Sequence, residues 1–167
     1  MSYFAVALAR TEAGWTGEEI DLDGVEDLDA LTELLRDLSG DSVGPALLLF
    51  EEDDEHVAIV RVDGGAADLS EPRVFLSDRR AVQGSEVAAM LWEEAELDED
   101  DEPVEEDDAS RPSAEPVGDA ELLSDLGTSA ELLLSLCAEE GRLPADVLTA
   151  ICERAGCDDC LEELREA

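Results

Sequence analysis

Short apolar runs recur through the first half of the chain, and each has the length of a β-strand. A turn at Thr11 to Gly14 joins the first two runs into a predicted hairpin. The acidic stretch Glu51 to His56 is the predicted tip of a second hairpin. The five predicted strands are Tyr3 to Ala9, Gly14 to Leu22, Pro45 to Phe50, Val57 to Val62 and Arg73 to Leu76.

Two segments in the same half have helical periodicity instead. Leucines recur at three- and four-residue intervals from Leu28 to Leu38, and either Asp27 or Asp29 supplies the start signal. Gly40 is the predicted stop, and Ser85 to Trp92 predicts a second helix. This order of strands and helices is typical of an α+β fold, so we expect a mostly antiparallel sheet with helices packed on one face.

Residues 118–167 predict a small bundle of short helices. Pro144 stands in the first turn of one helix and Gly156 just past its end, which are the preferred positions of these residues. A bundle of this size is marginal alone, so we expect packing on the first domain or on a partner to stabilise it. The predicted segments are a turn over Ala120 to Leu126 and helices over Ser129 to Glu139, Pro144 to Ala155 and around Leu161 and Leu164.

The most acidic stretch lies between these two parts. Twelve of the sixteen residues from Glu93 to Asp108 are Asp or Glu, and Pro103, Pro112 and Pro116 stand at close intervals. Self-repulsion and proline geometry both oppose a packed structure there. We therefore predict an α+β domain over 1–92, an acidic disordered linker over 93–117 and a small helical domain over 118–167.

The whole chain has a formal charge of -37, and all of its basic residues are arginine. Such a surface repels phosphate, which argues against direct binding of nucleic acid or of an anionic membrane and favours basic partners or cations. Apolar residues still make up 44% of the chain, so we expect part of it to fold. The sequence has neither an apolar stretch long enough for a membrane helix nor a basic N-terminal signal region, which predicts a cytoplasmic location.

The acidic stretch has two functional interpretations. It can present a phosphate-like array of charge to the basic surface of a nucleic-acid enzyme, or it can be a solvated spacer, which charge runs usually are. Adaptation to a salt-rich cytoplasm is a third explanation for an acidic chain without lysine. The candidate partner-binding residues are Glu93, Glu94, Asp98, Glu99, Asp100, Asp101, Glu102, Glu105, Glu106, Asp107 and Asp108.

The four cysteines form the cluster whose spacing most resembles a ligand set. In a reducing compartment they are thiols or metal ligands rather than disulfides, and Cys137, Cys152, Cys157 and Cys160 could together close a structural zinc site. The preferred interpretation places Cys137 and Cys152 on apolar helix faces as small core residues. Two Asp residues between Cys157 and Cys160 raise the thiol pKa, which disfavours a redox role.

The residues give little support to catalysis. His56 is the single histidine and follows five carboxylates, so we interpret it as a solvated loop residue, with a weak cation site as the alternative. No second histidine completes a nucleophilic set, and the sequence has no glycine motif of the kind that binds phosphate. We expect neither enzymatic activity nor a cofactor.

Four sequence blocks stand out along the chain: Tyr3 to Trp15, Pro72 to Asp78, Asp119 to Gly127 and Gly141 to Asp146. They resemble the actinobacterial tRNA adenosine deaminase-associated protein family. The resemblance covers both predicted domains and leaves out the acidic linker. It implies a gene that neighbours the deaminase gene, and it supplies no catalytic residues.

The chain itself lacks the signature of a zinc deaminase. That chemistry needs a His or Cys zinc ligand with a catalytic Glu two residues later, and then a P-C-x-x-C pair. Here Val57 and Ala58 follow His56, and a glycine precedes Cys157. Our hypothesis is a non-catalytic accessory protein that binds a basic partner, such as the deaminase, through a folded surface and the acidic linker. The alternatives are a small-molecule or cation-binding domain that uses the Glu51 to His56 tip, and a salt-adapted acidic protein.

Overall fold

A computed structural model of the chain describes residues 3–11, 14–39, 45–52, 56–62, 72–78, 85–94, 117–138 and 143–166. The strands are β1 (Tyr3–Thr11), β2 (Gly14–Glu19), β3 (Ala46–Glu52), β4 (His56–Val62), β5 (Arg73–Leu76) and β6 (Val117–Gly118). The α-helices are α1 (Leu28–Ser39), α2 (Glu86–Glu94), α3 (Ala130–Ala138), α4 (Pro144–Ala155) and α5 (Asp158–Glu166).

The strands form one sheet in the order β2-β1-β3-β4-β5-β6, and every neighbouring pair is antiparallel. The predicted α+β class and antiparallel sheet are confirmed. The second strand is shorter than predicted, because it ends at Glu19 and Leu22–Gly24 form a 3-10 turn. A sixth, two-residue strand was not predicted; it places Val117 opposite Leu76.

Local signals at two helix ends have the predicted effect. Asp27 begins α1, because its Oδ1 accepts a hydrogen bond from the Ala30 N–H at 2.9 Å. Gly156 ends α4 in the left-handed region, with φ of 91°, and its N–H donates to the Cys152 carbonyl at 2.8 Å. The predicted stop of α1 at Gly40 lies outside the described residues.

Alternate side chains of the strands point to opposite faces of the sheet. Along β1, the alanines at 5, 7 and 9 face α1 and α2, and we call this side the α1 face. Val6 and Leu8 face the opposite way, into a core with leucines of α3, α4 and α5, and we call this side the C-terminal face. The sheet therefore lies between two helical layers.

The expectation that helices cover only one face of the sheet is wrong. All seven residues of β3 and all seven of β4 are buried, because each strand is covered from both sides. Strands buried on both faces have near-continuous apolar sequences without polar alternation. The runs Ala46 to Phe50 and Val57 to Val60 have this pattern.

The segment after the acidic stretch shares a core with the sheet. Leu122 and Leu148 lie in one buried cluster with Val6 and Phe75, so the C-terminal residues pack on the first part of the chain as expected. The division into two domains and the disorder of the linker stay predictions, because residues 95–116 lie outside the described ranges. Among the described helices, none is long and apolar enough to cross a membrane.

Candidate interaction surface

Arg61 fastens the C-terminal segment to the middle of the sheet. Its side chain is 6% exposed on the C-terminal face of β4 and makes two hydrogen bonds to Asp125, of 2.6 Å to Oδ1 and 2.9 Å to Oδ2. It also donates to the carbonyl oxygen of Leu122. These bonds lower the pKa of Asp125, although that side chain is 62% exposed.

Two further arginines join the same layers. Arg73 lies directly opposite Arg61 on the neighbouring strand, and its Nε donates to Asp119 Oδ2 at 2.6 Å. The third arginine belongs to the helical layer instead of the sheet. Arg165 of α5 donates to Glu51 of β3 at 3.2 Å and stacks over the ring of Phe4, with 4.4 Å from Cζ to the ring centroid. Each pair ties the sheet to the segment that follows the acidic stretch.

The ion pairs of these arginines between layers make the surface more acidic. Arg61, Arg73 and Arg165 direct their charges into contacts between layers, while acidic side chains on every described helix and on β2 remain exposed. The chain has 47 acidic residues and 10 basic ones, so each arginine whose charge lies between layers adds to the excess of negative charge at the surface. The part of the protein that the structure describes is therefore acidic on its own, without the charges of residues 95–116.

The terminal strand β2 and the helix α5 form an acidic edge, which we call the β2–α5 edge (residues 14–19 and 158–166). Trp15 holds the two elements together: its indole N–H donates to the Ala155 carbonyl at 3.1 Å, and its carbonyl accepts from the Cys160 thiol at 3.3 Å. At Gly17, a Cβ would collide with Leu8 and approach Leu164 Cδ1 of α5 to 3.3 Å. The absence of a side chain there lets α5 lie close along the face of β2.

Five exposed carboxylates line this edge. Val6 pairs with Glu19 and Ala7 with Glu18, so the two glutamates of β2 point to opposite faces of the sheet. The remaining acidic side chains lie on the solvent side of α5, while Leu161 of the same helix is buried. The exposed carboxylates of the edge are Glu18, Glu19, Asp159, Glu162 and Glu163.

A surface pocket of about 380 Å³ lies where the edge ends. It is bordered by Tyr3, Glu19, Ile20 and Asp21, together with Ala5. The Tyr3 hydroxyl donates to Asp21 Oδ1 at 3.2 Å and accepts from the Leu22 N–H at 2.9 Å, which fixes the phenol at the rim. A hydroxyl and carboxylates around an open pocket suit a cationic side chain.

A second acidic surface lies on α1. Asp29, Glu33 and Asp37 recur every four residues on its exposed side, next to Leu34, which is 39% exposed. This row lies on the face of the sheet opposite to α5. Acidic charge is therefore present on both helical layers.

The described residues include the first two of the predicted partner-binding residues. Glu93 is exposed in the last turn of α2, and Glu94 is the final residue of that helix. The others, from Asp98 to Asp108, lie outside the described residues. The β2–α5 edge has no signal in the sequence pattern, because the acidic residues of β2 and those of α5 are separated by well over a hundred positions in the chain.

The cysteines lie around the end of α4 and on α3. Cys152 and Cys157 are buried in the core on the C-terminal face, while Cys137 and Cys160 lie at its margin. Burial raises the pKa of Cys137 to about 12, and the hydrogen bond with Cys157 together with burial raises the pKa of Cys152. Among the residues that the structure describes, no three His, Cys, Asp or Glu side chains are grouped to hold a metal ion.

The interpretation of His56 as a solvated loop residue is wrong. His56 is the first residue of β4, is 6% exposed, and has its Nε2 3.8 Å from the Glu52 carboxylate. The hairpin strands continue beyond their apolar runs, so Glu52 and His56 pair across them. The ring contacts Phe50 on the α1 face, at 5.9 Å between centroids, whereas Cys152 and Cys157 lie across the sheet.

The exposed charge predicts an unusual response to salt. Added NaCl, from about 20 mM to about 500 mM, is expected to raise the melting temperature by about 5 °C, because it screens the repulsion of exposed carboxylates more than the ion pairs between layers. Thermal denaturation followed by circular dichroism measures this. The variant Glu162→Gln/Glu163→Gln should show a smaller rise, and a melting temperature that falls with salt would contradict the prediction.

Comparison with known proteins relates the chain to a family. Residues 3–158 match the sequence model of a family described as Rv3753c-like tRNA adenosine deaminase-associated protein. Neither the curated proteins nor the solved structures include a significant match. The resemblance noted in the sequence is confirmed over almost the whole chain.

Proposed function

Because the chain belongs to the Rv3753c-like tRNA adenosine deaminase-associated protein family, we propose that it is a non-catalytic accessory protein that binds tRNA adenosine deaminase directly. The family name indicates an association with that enzyme. An enzyme that acts on tRNA needs basic surface for the phosphate backbone. The observation that carries the proposal is the complementary surface on this chain, where carboxylates are exposed while Arg61 and Arg165 direct their charges into contacts between layers.

Electrostatic complementarity acts mainly on the rate and selectivity of association. The exposed carboxylates of the described residues attract a basic partner over about a Debye length, and the charges of the stretch Glu93 to Asp108 add to the same attraction. Direct binding of tRNA is disfavoured, because the same charge repels phosphate. The protein therefore approaches the enzyme at its basic surface, where tRNA also binds.

A non-catalytic role agrees with the positions of the possible zinc ligands. His56 lies on the α1 face, while Cys152 and Cys157 lie on the C-terminal face. A deaminase centre of the His/Cys/Cys type requires all three ligands around a single ion. The antiparallel sheet between these residues is incompatible with that arrangement.

The proposal is tested with the purified deaminase of the same organism. Isothermal titration at about 50 mM and about 300 mM NaCl should show a complex whose affinity falls by at least about tenfold at the higher salt. The matched control replaces the acidic residues between 95 and 108 by an equal number of Gly and Ser residues. If the acidic stretch contributes attraction, the control binds more weakly and with a smaller salt dependence; if it is a spacer, the two curves coincide. Absence of a complex at both salt concentrations would contradict direct binding.

A further inference from the structure

Among the residues that the structure describes, β2 is the terminal strand of the sheet, and its outer side carries backbone groups that no further strand pairs with. In an antiparallel pair, alternate residues direct both N–H and C=O toward the neighbouring strand. The Ile20 N–H donates to the Ala5 carbonyl at 2.9 Å, and Thr11 is opposite Gly14 at the other end of the pair. Even-numbered residues of β2 therefore face β1, and the backbone groups of Trp15, Gly17 and Glu19 point outward.

One end of this outward row is already engaged. The Trp15 carbonyl accepts a hydrogen bond from the Cys160 thiol. The Trp15 indole N–H donates one to the Ala155 carbonyl, where α4 ends and α5 follows. Beyond that point α5 lies along the face of β2, as its approach to Gly17 shows, and does not take the place of a further strand. The row from Gly17 to Glu19 is therefore the part of the edge where an additional strand can pair.

We infer that this part of β2 binds an extended basic segment of the partner as a seventh strand. Peptides that add to a sheet edge gain affinity from main-chain hydrogen bonds and specificity from alternate side chains. The side chains of such a segment meet Glu18 on one face and Glu19 on the other, with the carboxylates of α5 beside them. Arg or Lys on either face of the added strand is thus opposite a carboxylate.

The same charges select against a second copy of this chain. Pairing of two β2 strands would place Glu18 and Glu19 of one copy beside those of the other, and like charges opposite each other destabilise a strand pair. The pocket at Tyr3 and Asp21 lies directly beyond Glu19 and accepts a cationic side chain at the end of the added strand. Together these features favour a basic strand over self-association.

This inference rests on the proposed binding of the deaminase, and one substitution separates the two. Glu19→Pro removes an outward N–H, a change that edge strands tolerate because that group does not pair within the sheet. Glu19→Ala removes the same carboxylate and keeps the N–H. We expect Glu19→Pro to bind the deaminase about tenfold more weakly than Glu19→Ala, which is the effect of losing one hydrogen bond of a strand pair.

Hydrogen exchange of the wild-type protein gives a second measurement that does not depend on the folding of a variant. Addition of the deaminase should slow exchange of the Gly17 and Glu19 amides, while exposed amides of the α1 row, such as that of Asp29, serve as reference. Equal affinity of Glu19→Pro and Glu19→Ala, or a complex in which Gly17 and Glu19 exchange as before, would overturn the edge site and leave the accessory role intact. Absence of any complex with the wild-type chain would overturn both.

Discussion

A fragment of residues 1–94 is expected to aggregate when it is produced without the C-terminal residues. Its sheet would expose a contiguous apolar surface, because α3, α4 and α5 cover the C-terminal face in the intact chain. Burial of each Leu, Ile or Phe side chain contributes about 1.5–3 kcal/mol to the free energy of folding. A patch of several such side chains is larger than the apolar patches that monomeric proteins expose. The uncovered side chains are Val6, Leu8, Leu47, Leu49, Val57, Ile59 and Phe75.

Size-exclusion chromatography and thermal melting of the fragment measure this effect. The matched control is refolding of the fragment with a separate peptide of residues 117–167, which should restore a soluble complex because it restores the shared core. A second control keeps the full chain and replaces residues 95–116 by a Gly/Ser linker of equal length; it should melt like the wild type. A monomeric fragment 1–94 with a cooperative transition would instead support two independent domains.

The sequence predicted the elements of the sheet better than their surroundings. Strands and helices follow from local signals, such as the leucine spacing of α1 and the capping of that helix by Asp27, so these were found. Coverage of the second face depends on residues far along the chain. The continuous apolar runs of β3 and β4 indicate that both faces are covered, because a strand with one solvated face would alternate apolar and polar residues.

Polar pairs between distant segments were not predictable from local pattern. Arg61 and Asp125 are 64 positions apart, and neither has a sequence neighbour that indicates its partner. His56 was misassigned for a related reason: the acidic residues before it resemble a solvated turn, whereas Glu51 is buried against Arg165 and Glu52 against His56.

The β2–α5 edge shows the same limit at the candidate site. Acidic residues of β2 and α5 are evident in the sequence, but only the packing of the helix on the strand brings them together; Trp15 and Ala155 are 140 positions apart. A dense run such as Glu93 to Asp108 draws attention because its charges are adjacent in sequence. Charges that the fold brings together have no such signal.

The ion pair at Arg61 gives the second large expected effect. Asp125→Ala should lower the free energy of unfolding by about 2–3 kcal/mol, although the aspartate is largely exposed, because it removes the carboxylate that makes two hydrogen bonds to the buried guanidinium. Arg61→Met should lower the free energy of unfolding by only about 1 kcal/mol. Asp125 can then be solvated, and the main loss is one hydrogen-bond donor to the Leu122 carbonyl. Removal of the exposed aspartate is therefore expected to destabilise the protein more than removal of the buried arginine.

Urea denaturation of both single variants and of Arg61→Met/Asp125→Ala measures the asymmetry. The double variant should be about as stable as Arg61→Met, because no buried charge remains to be stranded. Glu131→Ala, at an exposed acid of α3, is the matched control and should change stability by less than about 0.5 kcal/mol.

The pH dependence of the same pair follows from the pKa of Asp125, which Arg61 lowers below its ordinary value of 3.8. The contribution of the carboxylate is then fully present above that value and is lost as the pH falls through the lowered pKa of the folded state. The gap in stability between the wild type and Asp125→Ala should stay constant from neutral pH down to about pH 4 and narrow below it. If the gap were absent at neutral pH, the guanidinium would have to find solvent or another acid, and Arg61 would not depend on Asp125 to hold the C-terminal segment on the sheet.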